Sequence, residues 1–203
     1  MYVPAHFAAD DAAVDDLLTH HGAADLITST PEGLVATMLP FVYDAERQTL
    51  LGHVARNNPQ WRLPVLGEAM VIVRGADSYI SPNWYPSKTE HGRVVPTWNY
   101  LTAHVYGNLT IHDDPVWLEA LVRRLTDKHE ANQPKPWSVD DAPEKYVTGQ
   151  LRAIVGVEVA ITRVEAKFKL SQNRPTDDID GVIKGLNESG DQAGATAVQR
   201  YRP

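Results

Sequence analysis

The sequence predicts a mainly β fold with helices, an antiparallel meander or barrel of the α+β class. Three observations predict it. Strand-like segments recur at close spacing between residues 24 and 111, joined by short turns rather than helices. The long helical patterns lie outside that block, after Asp114 and after Pro175. No GxGxxG or P-loop motif occurs, so the parallel nucleotide-binding folds lack their signature.

The elements follow in order. Residues 10–21 (DDAAVDDLLTHH) predict a short helix, with Asp10 or Asp11 as cap, Gly22 as stop and Val14, Leu17 and Leu18 as its apolar stripe. Residues 24–30 predict a strand, 31–33 a turn, and 34–43 (LVATMLPFVY) a second strand in which Pro40 marks an edge, bulge or end. A turn at 44–48 leads to a third strand, 49–56, that closes on the polar corner NNPQW. A fourth strand at 68–74 is followed by a Gly75-Ala76-Asp77 turn, a fifth strand at 78–80 and a sixth at 97–107, which 108–111 extends or follows. Asp114 caps the next helix with Pro115 in its first turn, and Leu118, Leu121, Val122 and Leu125 share one face. A loop at 132–143, a short helix at 144–151 and a long late strand over 154–170 come next, the strand with apolar positions Val157, Val159, Ile161 and Val164. Two helical stretches split by Ser189-Gly190 end the chain, so 1–172 is expected to form the barrel domain and 173–203 a helical extension of it.

Composition narrows the function. At 203 residues the chain suits one domain that buries about 70% of its unfolded surface. The absence of cysteine excludes disulfides, thiolate metal sites and cysteine nucleophiles, and agrees with a reducing compartment. The first residues lack the basic and apolar regions of a secretory signal, and no apolar run approaches the ~20 residues of a membrane span, so a soluble cytoplasmic protein is expected. Nineteen basic residues against twenty-six acidic ones, a net charge of −7, disfavour direct nucleic-acid binding.

The stretch 79–107 (YISPNWYPSKTEHGRVVPTWNYLTAHVYG) holds six of the sixteen aromatics. Pro82, Pro86 and Pro96 argue against helix across its first part, and 90–93 form a turn. After Pro96, Trp98, Tyr100, Thr102, His104 and Tyr106 alternate with Thr97, Asn99 and Leu101. Two readings stand: an aromatic hairpin packed on a core, or a wall for a flat ligand with polar edges. The corner after the third strand offers the Arg56 fork, the amides of Asn57 and Asn58 and following backbone N–H groups, which suit a phosphate and equally make an ordinary Asn-Pro turn. Lys88 could join the same anion or simply be solvated. His53 reads as a core or interface histidine. His20-His21 and His112-Asp113-Asp114 lack the spacing of a known metal site, and no metal is predicted. No GxSxG or HExxH occurs, and no catalytic residue is assigned. The last helix carries only Arg200 and Arg202, fewer cations than a DNA-recognition helix needs.

Five segments in order, MYVPAHF, GHVARNNPQW, YISPNWYPSK, VPTWNY with HVYG, and KLSQN with GVIKGL, resemble the PaiB-like family of FMN-binding negative transcriptional regulators over nearly the whole chain. The resemblance implies a split β-barrel related to pyridoxamine-phosphate oxidases and flavin reductases, forming a homodimer with FMN at the subunit interface. Carried over, Thr37, Met38 and Leu39 lie nearest the isoalloxazine edge, and His53, Ala55 and Arg56 line the ribityl–phosphate side. Asn57 and Asn58 stand where related barrels place a Ser-x-Lys clamp. That departure leaves the phosphate charge on Arg56, with Lys88 as a second cation. Trp98 and Asn99 reach the ring from the partner chain, and KLSQN closes the site or the dimer. The implied functions are a flavin-binding regulator acting indirectly, an FMN-dependent oxidoreductase (reductase or oxidase), or a haem-binding or haem-degrading protein for which no axial histidine is marked. If the phosphate rests on Arg56, Arg56→Ala should weaken FMN binding roughly 10- to 100-fold.

Overall fold

The structure, a computed structural model, describes residues 1–203. Six strands close into a barrel in the order β1-β2-β3-β6-β5-β4. They are β1 (Ala23–Thr30), β2 (Gly33–Asp44), β3 (Thr49–Ala55), β4 (Ala69–Ile80), β5 (Thr97–His112) and β6 (Ile154–Lys169). The β1–β2, β2–β3, β3–β6 and β1–β4 pairs are antiparallel. Six α-helices accompany them: α1 (Asp11–His20), α2 (Ser87–His91), α3 (Pro115–Glu130), α4 (Glu144–Leu151), α5 (Thr176–Glu188) and α6 (Gln192–Arg200). None is long and apolar enough to cross a membrane.

The chain divides into two compact units, 15–73 with 104–164, and 1–14 with 74–103 and 165–203. In the larger unit, register and burial fix the two faces of the strands. Leu26, Phe41, Leu50, Val71, Val157 and Val159 are almost fully buried and form the barrel interior. Val42 pairs with Leu51 on the opposite, outer face, where Leu121 and Leu125 of α3 cover both. Asp114 caps α3 by accepting from the Val116 N–H at 3.1 Å. Trp117 stacks on His112 at 4.0 Å and lies so close to Gly156 that a Cβ there would meet its ring at 2.2 Å. His112 Nε2 is in turn 2.8 Å from Glu158.

In the smaller unit, α5 and α6 pack with residues of the aromatic stretch. Buried Asp178 accepts from the Ser87 N–H and hydroxyl at 3.1 and 2.7 Å. Ser78 donates to Asp191 at 2.6 Å, and Asn99 donates to Ser171 at 3.0 Å. Gly185 lets Trp84 approach, since a Cβ would meet the indole at 2.3 Å.

Two boundaries differ from the sequence reading. Gly75, Ala76 and Asp77 do not turn the chain, because β4 runs unbroken from Ala69 to Ile80 and joins the expected fourth and fifth strands. A five-residue helix, α2, forms where prolines argued against one. Pro86 precedes its first residue, a position where the missing N–H has no helical partner to lose. Gly92 ends it in the left-handed region at φ 65°.

Candidate functional site

Strand alternation sorts the residues expected at the flavin. Met38, His53 and Ala55 share the outer face with Val42 and Leu51, beyond the part that α3 covers. Met38 is 70% exposed and Leu34, four residues earlier on the same face, 78%. Thr37 and Leu39 point the other way, and Leu39 is buried in the barrel. Of Thr37, Met38 and Leu39, one side chain therefore reaches the outside. His53 is half-buried; its Nδ1 is shut off from solvent and has no hydrogen-bond partner. Burial holds its pKa below the ordinary imidazole value, which keeps the ring neutral.

The corner after β3 is a polar knot. Asn58 caps the short 3-10 turn Pro59–Arg62 by accepting from the Gln60 N–H at 2.9 Å, and its amide donates to Thr37 at 2.9 Å. Buried Gln60 donates to the Leu26 carbonyl, the Thr28 hydroxyl and the Val35 carbonyl, tying this turn to β1 and β2. Arg56 does not offer a free fork. Its guanidinium donates to both oxygens of Asp113, to the Arg152 carbonyl at 2.7 Å and to the Ile154 carbonyl at 3.0 Å. The Asp113 partnership raises the Arg56 pKa and lowers that of Asp113. Asn57 is exposed.

Sequence reasoning missed three residues of this corner. Trp61 donates its indole N–H to the Arg56 carbonyl at 3.0 Å. Arg62 lies over the Trp61 ring at 4.6 Å, and its only hydrogen bond is a long one, 3.4 Å, to the same carbonyl. Asp113 is the carboxylate that occupies Arg56. Arg62 stands one residue beyond the NNPQW corner and six beyond Arg56, whereas Asp113 lies 57 positions from Arg56.

The remaining expected residues belong to the smaller unit. Lys88 donates to Asn83 within its own loop. Trp98 is half exposed, donates to Asp77 at 2.9 Å and has Tyr79 6.2 Å away, ring to ring. Asn99 is buried, and its amide serves the bond to Ser171. Lys169, from the KLSQN segment, donates to the Thr97 hydroxyl and the Trp98 carbonyl. The aromatic stretch is divided: Tyr85 and Leu101 are buried in the unit, while Tyr79 and Trp98 leave about half of their surface in solvent.

A closed barrel with an exposed apolar strip running toward amide and guanidinium donors is a surface that suits a flat ligand with polar edges. Comparison with known proteins gives the family. The model described as "Putative FMN-binding domain" matches residues 1–163. Protease synthase and sporulation protein PAI 2 of Bacillus subtilis is 31% identical, covering 95% of this chain and 93% of its own length. An uncharacterised protein of Emericella nidulans is also 31% identical, over 96% of this chain and 93% of its own. The chain belongs to this PaiB-like FMN-binding family.

Solved structures share the fold at low identity. A conserved hypothetical protein of Mycobacterium tuberculosis matches with a TM-score of 0.59 at 12% identity, covering 86% of this chain and 94% of that one. The FAD and haem binding protein of Mycobacterium smegmatis matches with 0.57 at 18%, covering 79% and 71%. The family assignment supports a flavin as the cofactor class. The residues present fit such a group: an apolar outer face for rings, an orphaned imidazole nitrogen beside it, and Arg62 with no carboxylate partner for an anionic tail.

Proposed function

We propose that this chain is an FMN-binding protein that works as a homodimer and serves as a flavin-dependent sensor in transcriptional repression. The isoalloxazine lies against the outer face of β2 and β3, near Met38, His53 and Ala55. The phosphate sits at the corner that holds Asn57, Asn58 and Arg62, with Arg56 joining once Asp113 releases it. The observation that carries this reading is the exposed strip itself. Leu34 and Met38, 78% and 70% exposed, extend a buried apolar face toward cationic and amide donors. A planar amphipathic cofactor and a second copy of the chain are what such a strip suits.

Bound there, the flavin would supply redox chemistry, and the chain's residues would bind and orient it. FMN has about 31 non-hydrogen atoms, so at roughly −0.3 kcal/mol per atom it reaches about −9 kcal/mol, near micromolar or tighter. Regulation is indirect on this reading. Helix α6 carries one basic residue, Arg200, and Arg202 beyond it is paired with Asp180 at 3.0 Å. The resemblance to PaiB-like regulators supports the regulatory part.

Titrating purified protein with FMN, FAD and riboflavin, read by flavin fluorescence, tests the cofactor. FMN is expected to bind near micromolar or tighter and riboflavin, which lacks the phosphate, more weakly. Light scattering is expected to give a dimer. A folded monomer that leaves flavin fluorescence unchanged would refute the proposal. Steady NAD(P)H oxidation by the FMN-loaded protein would replace the sensor with an oxidoreductase.

A further inference from the structure

In the larger unit a cavity of about 430 Å³ lies between the start of α3 and the end of α4. Its apolar wall is Pro115, Val116, Leu118 and Leu151. Leu118 and Leu151 are buried, whereas Val116 is 77% exposed, an aliphatic side chain left in water beside two that are not. Its charged wall is Arg56, Asp113, Glu119 and Arg152. The first three are already answered. Arg56 donates to both oxygens of Asp113, and Glu119 accepts twice from Arg123, which stands outside the wall. Arg152 is the exception. Its backbone N–H donates to the Thr148 carbonyl and its own carbonyl accepts from Arg56, but its exposed guanidinium has no hydrogen-bond or ion-pair partner. Both carboxylates of the cavity are thus neutralised, and one cation is left over.

Charge and size define an occupant. A solvated arginine needs no partner on its own account; what sets Arg152 apart is a fork held at a wall otherwise aliphatic or internally paired. A guanidinium presents its N–H donors in a plane that matches a carboxylate two for two. Its single charge balances one carboxylate, whereas a phosphate monoester brings about −1.5 to −2 and would leave charge over beside Asp113 and Glu119. An apolar cavity of about 150 Å³ takes one benzene ring, so this one has room for a body of two rings or a branched chain. We infer that this cavity is a binding site for an organic acid, a monocarboxylate with a flat aromatic or branched apolar body, whose carboxylate pairs with the Arg152 fork and whose body lies against Pro115 and Val116. Arg56 and Asp113 keep each other in this arrangement, and the ligand is one other than the flavin.

The pair 2-naphthoate and 2-naphthamide tests this by calorimetry, because the two share a shape and only the first carries charge. Flavin-free protein is expected to bind naphthoate about three- to tenfold more tightly than the amide, a charge-assisted pair discounted for its exposure. Arg152→Met, which keeps a stem of similar length and removes the fork, should bring the two to equal affinity. Val116→Glu, a change to an exposed side chain, should weaken naphthoate by about tenfold or more and the amide less, since it sets a carboxylate against the acid. Equal affinities in the wild type, a preference that survives Arg152→Met, or no heat with either probe at millimolar concentration would overturn the assignment. Tighter binding of 2-naphthyl phosphate than of naphthoate would overturn it in favour of a phosphate site. So would displacement of naphthoate by saturating FMN, which would make the cavity part of the flavin site. Because the readout uses protein without flavin, failure here leaves the FMN titration to stand or fall separately.

Discussion

The barrel interior of the larger unit is mainly apolar, with Gln60 donating to Thr28 inside it, whereas the smaller unit adds to an apolar core of its own three side-chain pairs that join its segments, Asp178 with Ser87, Asp191 with Ser78 and Ser171 with Asn99. The unpartnered buried atoms are distributed the other way. Four of the five, on His21, Thr49, His53 and Gln60, lie in the larger unit. The charge is uneven too. The larger unit has sixteen acidic and ten basic residues, the smaller ten and nine. An apolar core that closes on itself tolerates orphaned polar groups at its margin, and those groups become the points where pH or a ligand acts. A unit joined by polar pairs has no such latitude, because each lost partner leaves another buried group unsatisfied.

The comparison breaks most sharply at Asp178. Asp178→Ala strips two donors of Ser87 of their acceptor inside the smaller unit. Urea unfolding is expected to show a loss of about 4 kcal/mol, with Asp178→Asn, which keeps one acceptor, losing about half. In the larger unit Thr49→Val removes a hydroxyl that has no partner, and should change stability by less than ~0.5 kcal/mol. Similar losses for Asp178→Ala and Thr49→Val would end the distinction.

A somewhat smaller effect concerns acid. His21 is buried at the end of α1, and its Nδ1 donates to the Leu18 carbonyl at 2.6 Å. Burial first, and the Lys128 ammonium second, bring its pKa down to about 4 from 6.5. The folded state thus resists a proton that the unfolded chain accepts. Stability is complete above pH 6.5 and falls as pH drops toward 4. At about 1.4 kcal/mol per pKa unit the loss approaches 3 kcal/mol. Urea midpoints measured across this window should fall in the wild type and fall less in His21→Leu. A flat profile in the wild type would show that His21 is protonated without cost.

Much of this was legible in the sequence, for reasons that also mark its limits. Helix α3 could be read from Asp114-Pro115 and the spacing of its leucines, and β1 and β2 from the turn that Pro31 and Gly33 announce between them. Gly75-Ala76-Asp77 misled because turn-forming residues also sit inside a continuous strand, here β4. Pro86 misled because the residue that stops a helix also starts one. At the candidate site, composition marked the corner after β3 but not its wiring, since Asp113 and the Arg152 and Ile154 carbonyls come from distant elements. Nor could it separate Met38 from Leu39 without knowing which strand face α3 covers.

That wiring sets up the smallest effect and the one most informative about the flavin. Arg56 has five N–H donors, and Asp113 with two carbonyls occupies four of them. Any phosphate that uses this guanidinium competes with Asp113 for it. The pair is exposed to solvent, so the competitor is weak, and freeing the fork should help only modestly. Asp113→Asn is expected to tighten FMN binding roughly two- to fivefold, with little change for riboflavin, which has no phosphate. Arg62, unencumbered by a carboxylate, should matter more than Arg56: Arg62→Ala should weaken FMN binding more than Arg56→Ala does. A hundredfold loss on Arg56→Ala together with an unchanged affinity in Asp113→Asn would reverse this order. It would mean that Arg56 grips the phosphate through its free edge while Asp113 holds it in place, making the carboxylate a support for the tail rather than its rival.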